Sequence, residues 1–222
     1  MPIDEPVLLV AFIHLAQEFE ERGFKCYLVG GSVRDYLLGK NLSDMDVATD
    51  ATVEEMKSFL PEADYTFAKY GSIKCRYRKV LFDITTFRKE KDYKDFRHPG
   101  RIEFTKNVKI DVKRRDFTIN ALYLTRDLRI LDHVGGKKDL EKKIIRMIGE
   151  PDIRLKEDPL RIIRALRFSY DLDFEIEPSL KKAMEDNLPL LKELNIEKIK
   201  QEIAKCAQKE KLIEYLKKIE IL

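Results

Sequence analysis

Asp44-Met45-Asp46 puts two carboxylates at alternate positions of a segment, residues 44–49, that reads as a β-strand. Residues i and i+2 of a strand share a face, so Asp44 and Asp46 are expected side by side. Adjacent carboxylates repel unless a cation lies between them. A hard divalent ion such as Mg²⁺ takes oxygen ligands and typically keeps substrate phosphates in its shell. Asp83 is a third carboxylate, in a segment where Phe82 and Ile84 alternate with Asp83 and Thr85; the apolar pair points to a core and the acid to the other face. Three convergent carboxylates can hold two metals, one activating an attacking hydroxyl and one stabilising a leaving oxygen. Taken alone, an Asp-x-Asp is more often a solvated strand edge, and Asp50 reads as an ordinary turn acid.

Just upstream runs Leu28-Val29-Gly30-Gly31-Ser32-Val33-Arg34-Asp35. A strand enters a Gly-Gly turn and a helix begins, and the N–H groups at a helix start favour an anion such as phosphate. Gly30 and Gly31 let a ligand approach the backbone, Ser32 adds a hydroxyl, and Arg34 suits a phosphate.

The elements that must position these groups follow from periodicity. Residues 6–22 read as an amphipathic helix closed by Gly23, and residues 25–29 as a short strand. Thr52 with Glu55 three residues on forms a capping box for a helix to Leu60. Segments 72–78 and 80–87 read as antiparallel strands, and 119–125 with 128–132 as a hairpin turning at Arg126–Asp127. Residues 88–101 are expected to be a charged loop, and the chain from about 137 onward to be helical. Strands first and helices after argue an α+β fold, a small mixed sheet followed by an all-helical domain, with the boundary near Gly149–Pro151.

Composition bounds the function. Charged residues make up 37% of 222, against roughly 25% in soluble proteins, an excess that suits surface ion pairs, an RNA-binding surface, or both. The net charge is only +3, so nucleic-acid binding must rest on where charge sits: Arg114–Arg115, Lys137–Lys138, Lys142–Lys143 and the run Arg161, Arg164, Arg167. The lysine pairs read as solvated helix faces. Cys26, Cys75 and Cys206 are far apart, which disfavours a zinc site or disulfide framework and suits a reduced, cytoplasmic setting. No apolar run is long enough for a membrane span and no secretory signal is visible.

With these residues in hand, the block LVGGSVRDYLLG…LSDMDVATDAT resembles the first motif of the class II tRNA nucleotidyltransferase and bacterial poly(A) polymerase family. Further motifs follow in the family's order over roughly residues 25–170. The resemblance implies a polymerase-β-like nucleotidyltransferase head at 1–149, a helical neck that recognises the nucleobase at 150–222, and a usual body and tail that are absent or short. It implies a metal-dependent enzyme that adds nucleotides from CTP and ATP to the tRNA 3′ end, with Mg²⁺ held by Asp44 and Asp46 and with Asp83 as the third catalytic acid.

Arg114-Arg115-Asp116-Phe117-Thr118-Ile119-Asn120-Ala121 is similar to the family's ribose-selecting motif. A 2′-OH can donate to Asp116 and accept from the Asn120 amide, with Arg115 nearby. Glu157-Asp158-Pro159-Leu160-Arg161-Ile162-Ile163-Arg164 matches its base-reading motif. Read on one helix face, Asp158 accepts and Arg161 donates, a pattern that takes cytosine and adenine and rejects uracil and guanine through unpaired polar groups; Arg164 supports them. Asp132 through Leu140 resembles a structural motif joining head to neck. Residues 95–99 occupy the family's flexible loop, and their presence favours CCA- or A-adding over CC-adding. Glu197 through Glu202 is the weakest match, with Lys198 where Arg is expected, a change expected to loosen the neck. The rival readings are a bacterial poly(A) polymerase and a catalytically silent RNA-binding module.

Overall fold

The computed structural model describes residues 5–42, 44–93 and 99–222. The chain divides into two compact units: residues 1–90, 102–115 and 120–136 in the first, and 91–101, 116–119 and 137–222 in the second. By compactness, then, residues 137–149 and the short stretch 116–119 group with the helices, and no single cut near Gly149–Pro151 separates the units.

The first unit begins with α1 (Glu5–Glu20), β1 (Cys26–Val29), α2 (Gly31–Leu37), β2 (Met45–Thr49) and α3 (Val53–Lys57). It continues through β3 (Ser72–Tyr77) and β4 (Val80–Thr86) and, after the segment described next, includes α4 (Val108–Asp111), β7 (Leu122–Leu124) and β8 (Ile130–Asp132). The sheet order is β3-β4-β2-β1-β7-β8, with β2 parallel to β4 and the other pairs antiparallel. Thr52 caps α3 with the reciprocal Glu55 bond that the sequence predicts.

One face of this sheet is apolar. Cys26, Leu28, Met45, Val47, Ile73, Cys75, Phe82, Ile84, Leu122 and Leu124 join Leu8, Phe12, Leu15 and Phe19 of α1 and Met56 of α3 in a buried cluster. At roughly 1.5–3 kcal/mol for each large side chain fully buried, this packing sets the register. Every residue that alternates with the cluster is thereby committed to the opposite face, and Asp46 and Asp83 are among them.

The expectation of a loop over residues 88–101 is corrected in its described part: β5 (Arg88–Tyr93) and β6 (Pro99–Phe104) pair as a separate two-stranded ribbon. Its charges misled because a two-stranded ribbon has no need of an apolar core face. Asp95, Phe96, Arg97 and His98 of the expected flexible loop lie outside the described residues.

The second unit contains α5 (Gly136–Glu141, from its second residue), β9 (Ile144–Ile145), α6 (Pro151–Glu157), α7 (Leu160–Leu172), β10 (Glu175–Ile176), α8 (Pro178–Asn187), α9 (Ile196–Ala204) and α10 (Lys209–Lys218). Helix α6 packs on α8, and α7 on α9 and α10. The short parallel pair β9–β10 is a small exception to the expected all-helical character. No helix among the described residues is long and apolar enough to cross a membrane. The cysteines Cys26, Cys75 and Cys206 are free and buried.

Candidate active site

In the first unit, β2 and β4 pair with Asp46 opposite Asp83, and β4 and β3 pair with Asp83 opposite Lys74. Directly opposed residues share a face, so Lys74, Asp83 and Asp46 form a row across the sheet on the side away from the core. Lys74 Nζ lies 3.2 Å from Asp83 Oδ1, with both side chains exposed. Asp44 falls one residue before β2 and is exposed; its carbonyl accepts from the Ser32 hydroxyl. That bond ties the glycine turn to the start of the carboxylate strand, so the Ser32 proton serves the scaffold.

Burial, then repulsion from Asp83 and from Asp44, raises the Asp46 carboxyl from 3.8 to about 6, with Arg115 and Lys74 opposing. An oxygen-only donor set carrying excess negative charge fits a hard divalent cation. Among the described residues, however, no three His, Cys, Asp or Glu side chains are already gathered closely enough to hold a metal ion. The expected convergence of Asp44, Asp46 and Asp83 is therefore not preformed: Asp83 leans on Lys74 and Asp44 stands outside the strand.

Gly30 sits at φ +77°, and a Cβ there would come within 3.2 Å of Asp46 Oδ2. Only glycine both adopts this backbone and leaves room beside the carboxylate. Helix α2 starts at Gly31 without a side-chain cap from residue 30. Arg34, expected to face phosphate, is buried and donates Nη1 to Asn120 Oδ1 at 2.7 Å and Nε to Asp35 at 2.9 Å. A guanidinium only donates, so Asn120 must present its oxygen to Arg34 and keep its amide N–H for other partners.

The second unit holds the rest. Asp116 is buried, accepts from Arg164 Nε at 2.8 Å, and takes the Phe117 N–H at 2.7 Å. Burial alone would raise its carboxyl; the Arg164 charge and the Phe117 bond outweigh it, and the group lies below its ordinary value. Asp116 and Asn120, expected to read the ribose together, thus belong to different compact units.

Asp158 corrects a further expectation. It does not share a helix with Arg161: it ends α6 at φ −150°, ψ 92°, because Pro159 disfavours helical backbone in the residue before it. Its carboxylate accepts the Leu160 N–H at 3.1 Å. Arg161 is buried in the first turn of α7 and donates to the Arg154 carbonyl at 2.6 Å and to Glu157 at 3.2 Å, while its Nε stands 4.0 Å from Asp158.

Two buried acids carry structure: Asp111, which lies in no motif, and Glu202, which closes the weakly matched segment from Glu197. Glu202 in α9 gathers Arg167 at 3.4 Å, Arg164 at 4.0 Å and Lys205 at 3.0 Å. The run of arginines at 161, 164 and 167 is therefore engaged with acids and carbonyls inside the second unit, while Lys137, Lys138, Lys142 and Lys143 are exposed as expected. Asp111, wholly buried, binds Arg114, Arg115 and Tyr123. The available signal for each was spacing, an acid three or four residues from arginine or lysine. Asp50 is structural, accepting the Lys25 N–H at 2.7 Å. Asp132 accepts the N–H groups of residues 134–136 ahead of α5, and Asp139 holds Thr118 and Arg146.

Residues 26–146 match the family described as poly A polymerase head domain. The CCA-adding enzyme of Lactobacillus johnsonii is 42% identical over 200 residues, 90% of this chain and 50% of that protein. The crystal structure of the Bacillus stearothermophilus CCA-adding enzyme in complex with CTP is similar with a TM-score of 0.81 at 32% identity, covering 88% of this chain and 47% of that one. A tRNA nucleotidyltransferase complexed with a primer tRNA and an incoming ATP analog gives 0.75 at 30%, covering 94% and 61%. The chain spans about half the length of the curated relatives it matches. The matched stretch takes in the glycine turn, the carboxylate row and the motif at 114–121, and on that match this chain belongs to the poly A polymerase head domain family.

Proposed function

We propose that this chain transfers nucleotides from CTP and ATP, without a nucleic-acid template, to the 3′ end of tRNA as a CCA- or A-adding enzyme. The observation that carries the reading is the Asp46–Asp83 pair on the sheet face away from the apolar core, beside the Gly30 turn. The terminal 3′-hydroxyl gives up its proton to water, its oxygen forms a bond to the α-phosphorus, the bond from that phosphorus to the bridging oxygen breaks, and pyrophosphate leaves. Asp44 and Asp46, with Asp83, would hold Mg²⁺, which supplies charge for the attacked phosphate and lowers the pKa of the attacking hydroxyl. The remaining work is electrostatic positioning by the chain itself.

Gly30 and Gly31 give a triphosphate access to the backbone, and Ser32 ties that turn to Asp44. Arg34 orients Asn120, which donates to a ribose hydroxyl. Asp116, fixed by Arg164, has one lone pair left on Oδ1 to accept from the 2′-OH. Arg115 supplies positive charge. Asp158 and Arg161, whose Nε stands 4.0 Å from the Asp158 carboxylate, read the pairing edge of the base. In functional terms residues 1–149 form the catalytic head and 150–222 the base-reading neck, acting in the cytoplasm.

The CTP complex and the primer-tRNA complex among its structural relatives support the substrate class. The family description itself favours one alternative, a poly(A) polymerase. The test supplies Mg²⁺, tRNAs ending before CCA, after C and after CC, and each labelled nucleotide alone. CTP on the first two and ATP on the third is the expected pattern. Long A tails on any RNA would establish the polymerase, and label from UTP or GTP at comparable rates would refute the base-reading assignment.

A further inference from the structure

Asp111 ends α4 inside the first unit, and the chemistry above gives it no task. Its Oδ1 accepts the Arg88 N–H at 3.1 Å and Arg114 Nε at 2.8 Å. Its Oδ2 accepts the Tyr123 hydroxyl at 2.8 Å, Arg115 Nη2 at 3.1 Å and Arg115 Nε at 3.3 Å. Arg115 Nε also donates to the Tyr123 oxygen at 2.9 Å, and its guanidinium lies over the Tyr123 ring at 4.9 Å. Arg115 is therefore held along its Nε–Nη2 edge by Asp111 and the Tyr123 hydroxyl, and a planar guanidinium gripped in that way has one direction.

The sheet register says where that direction lies. Tyr123 pairs with Val29, the residue before Gly30. Two positions back, Tyr27 pairs with Ala48, which lies two positions from Asp46. Tyr123, Tyr27, Val29, Ala48 and Asp46 thus share one sheet face. Arg115, seated on Tyr123, stands on the face that carries the carboxylates.

We propose that Asp111 is a positioning residue for nucleotidyl transfer, fixing Arg115 against Tyr123 as the standing cation of the carboxylate face. There Arg115 offsets the charge of Asp44, Asp46 and Asp83 and of the triphosphate that approaches them. A mobile arginine would spread that charge over many directions. The anchoring rests on geometry; its consequence for catalysis rests on the transfer reading.

The test is a double-variant cycle on the whole chain: Asp111→Asn, Arg115→Ala and the pair, each assayed for incorporation of labelled CTP and followed by thermal melting. Each single variant is expected to lower kcat by about ten-fold or more, with the pair within about two-fold of the worse single. Losses that multiply in the pair would show that Asp111 does not act through Arg115 and would overturn the proposal. Asp111→Glu, which keeps the charge, should recover part of the rate. If Asp111→Asn does not fold, Tyr123→Phe carries the same cycle with the ring retained. The Arg115 Nε–H resonance, identified by its disappearance in Arg115→Lys, gives a readout independent of turnover. Slow exchange with water in the parent chain and fast exchange in Asp111→Asn, or in Tyr123→Phe where Asp111→Asn does not fold, is the expected result; equal exchange would overturn the anchoring. A parent chain that incorporates no nucleotide would refute the transfer reading and leave this resonance to decide the anchoring.

Discussion

Replacing Asp46 with Asn should make the metal-free chain more stable while removing its chemistry. The native carboxyl is raised from 3.8 to about 6 by burial and by Asp83 and Asp44. Because the folded state holds this proton more tightly than the unfolded chain, the group costs nothing below 3.8, where both states are protonated. Its penalty grows between 3.8 and about 6 and is complete above that. A displacement of that size corresponds to about 3 kcal/mol at roughly 1.4 kcal/mol per pH unit. Asp111, held at about 2, and Asp116, also lowered, contribute with the opposite sign: their stabilisation is present above 3.8 and is lost on acidification. The pH profile of the native chain mixes these effects, so the informative quantity is the difference between native and Asp46→Asn. Thermal melting without divalent cations should show the variant more stable by up to about 3 kcal/mol near pH 8, or several degrees at about 2–4 °C per kcal/mol. The two curves should converge near pH 4. Added Mg²⁺ should raise the melting point of the native chain and leave that of the variant nearly unchanged. Parallel melting curves across this range would refute the argument that Asp46 is held in an unfavourable charge environment.

Gly30→Ala should lower both stability, by about 1 kcal/mol or more, and transfer, since it combines a φ of +77° with a Cβ 3.2 Å from Asp46 Oδ2; melting and incorporation assays check it. Arg164→Ala strips a buried carboxylate of its cation and should cost about 3 kcal/mol in a denaturant titration, with Arg164→Lys recovering part of the loss. Arg161→Ala should reduce the preference for CTP over UTP by about ten-fold or more, read from incorporation at equal nucleotide concentrations.

The parts of the fold legible in the sequence were those with strict alternation. Phe82 and Ile84 face the core and Asp83 faces away because a period of two admits no intermediate answer. Thr52 and Glu55 announced the start of α3 through a local bond pattern that needs nothing beyond the segment itself. Residues 88–104 were illegible for the converse reason: the β5–β6 ribbon draws its pairing from a partner strand, and its side chains show no apolar stripe. At Asp158 two local signals oppose each other: the spacing to Arg161 suits one helix face, Pro159 speaks against helix at 158, and the proline prevails. Arg34 and Ser32 were assigned to phosphate by type, and their actual partners, Asn120 and the Asp44 carbonyl, lie 86 and 12 residues away, contacts that spacing cannot reveal. Asp111 falls in no motif, and Glu202 only closes the weakly matched segment from Glu197, because a buried acid looks like any other until its arginines are seen around it.

The measurement that bears most directly on the central claim is the incorporation of labelled CTP into tRNA lacking CCA, with Mg²⁺, by native chain and Asp46→Asn side by side. Both must first be shown to be folded by melting. Label is expected in the native reaction and none in the variant, although the variant is the more stable of the two without divalent cations. Turnover retained in Asp46→Asn would contradict the assignment of this carboxylate face as the catalytic centre.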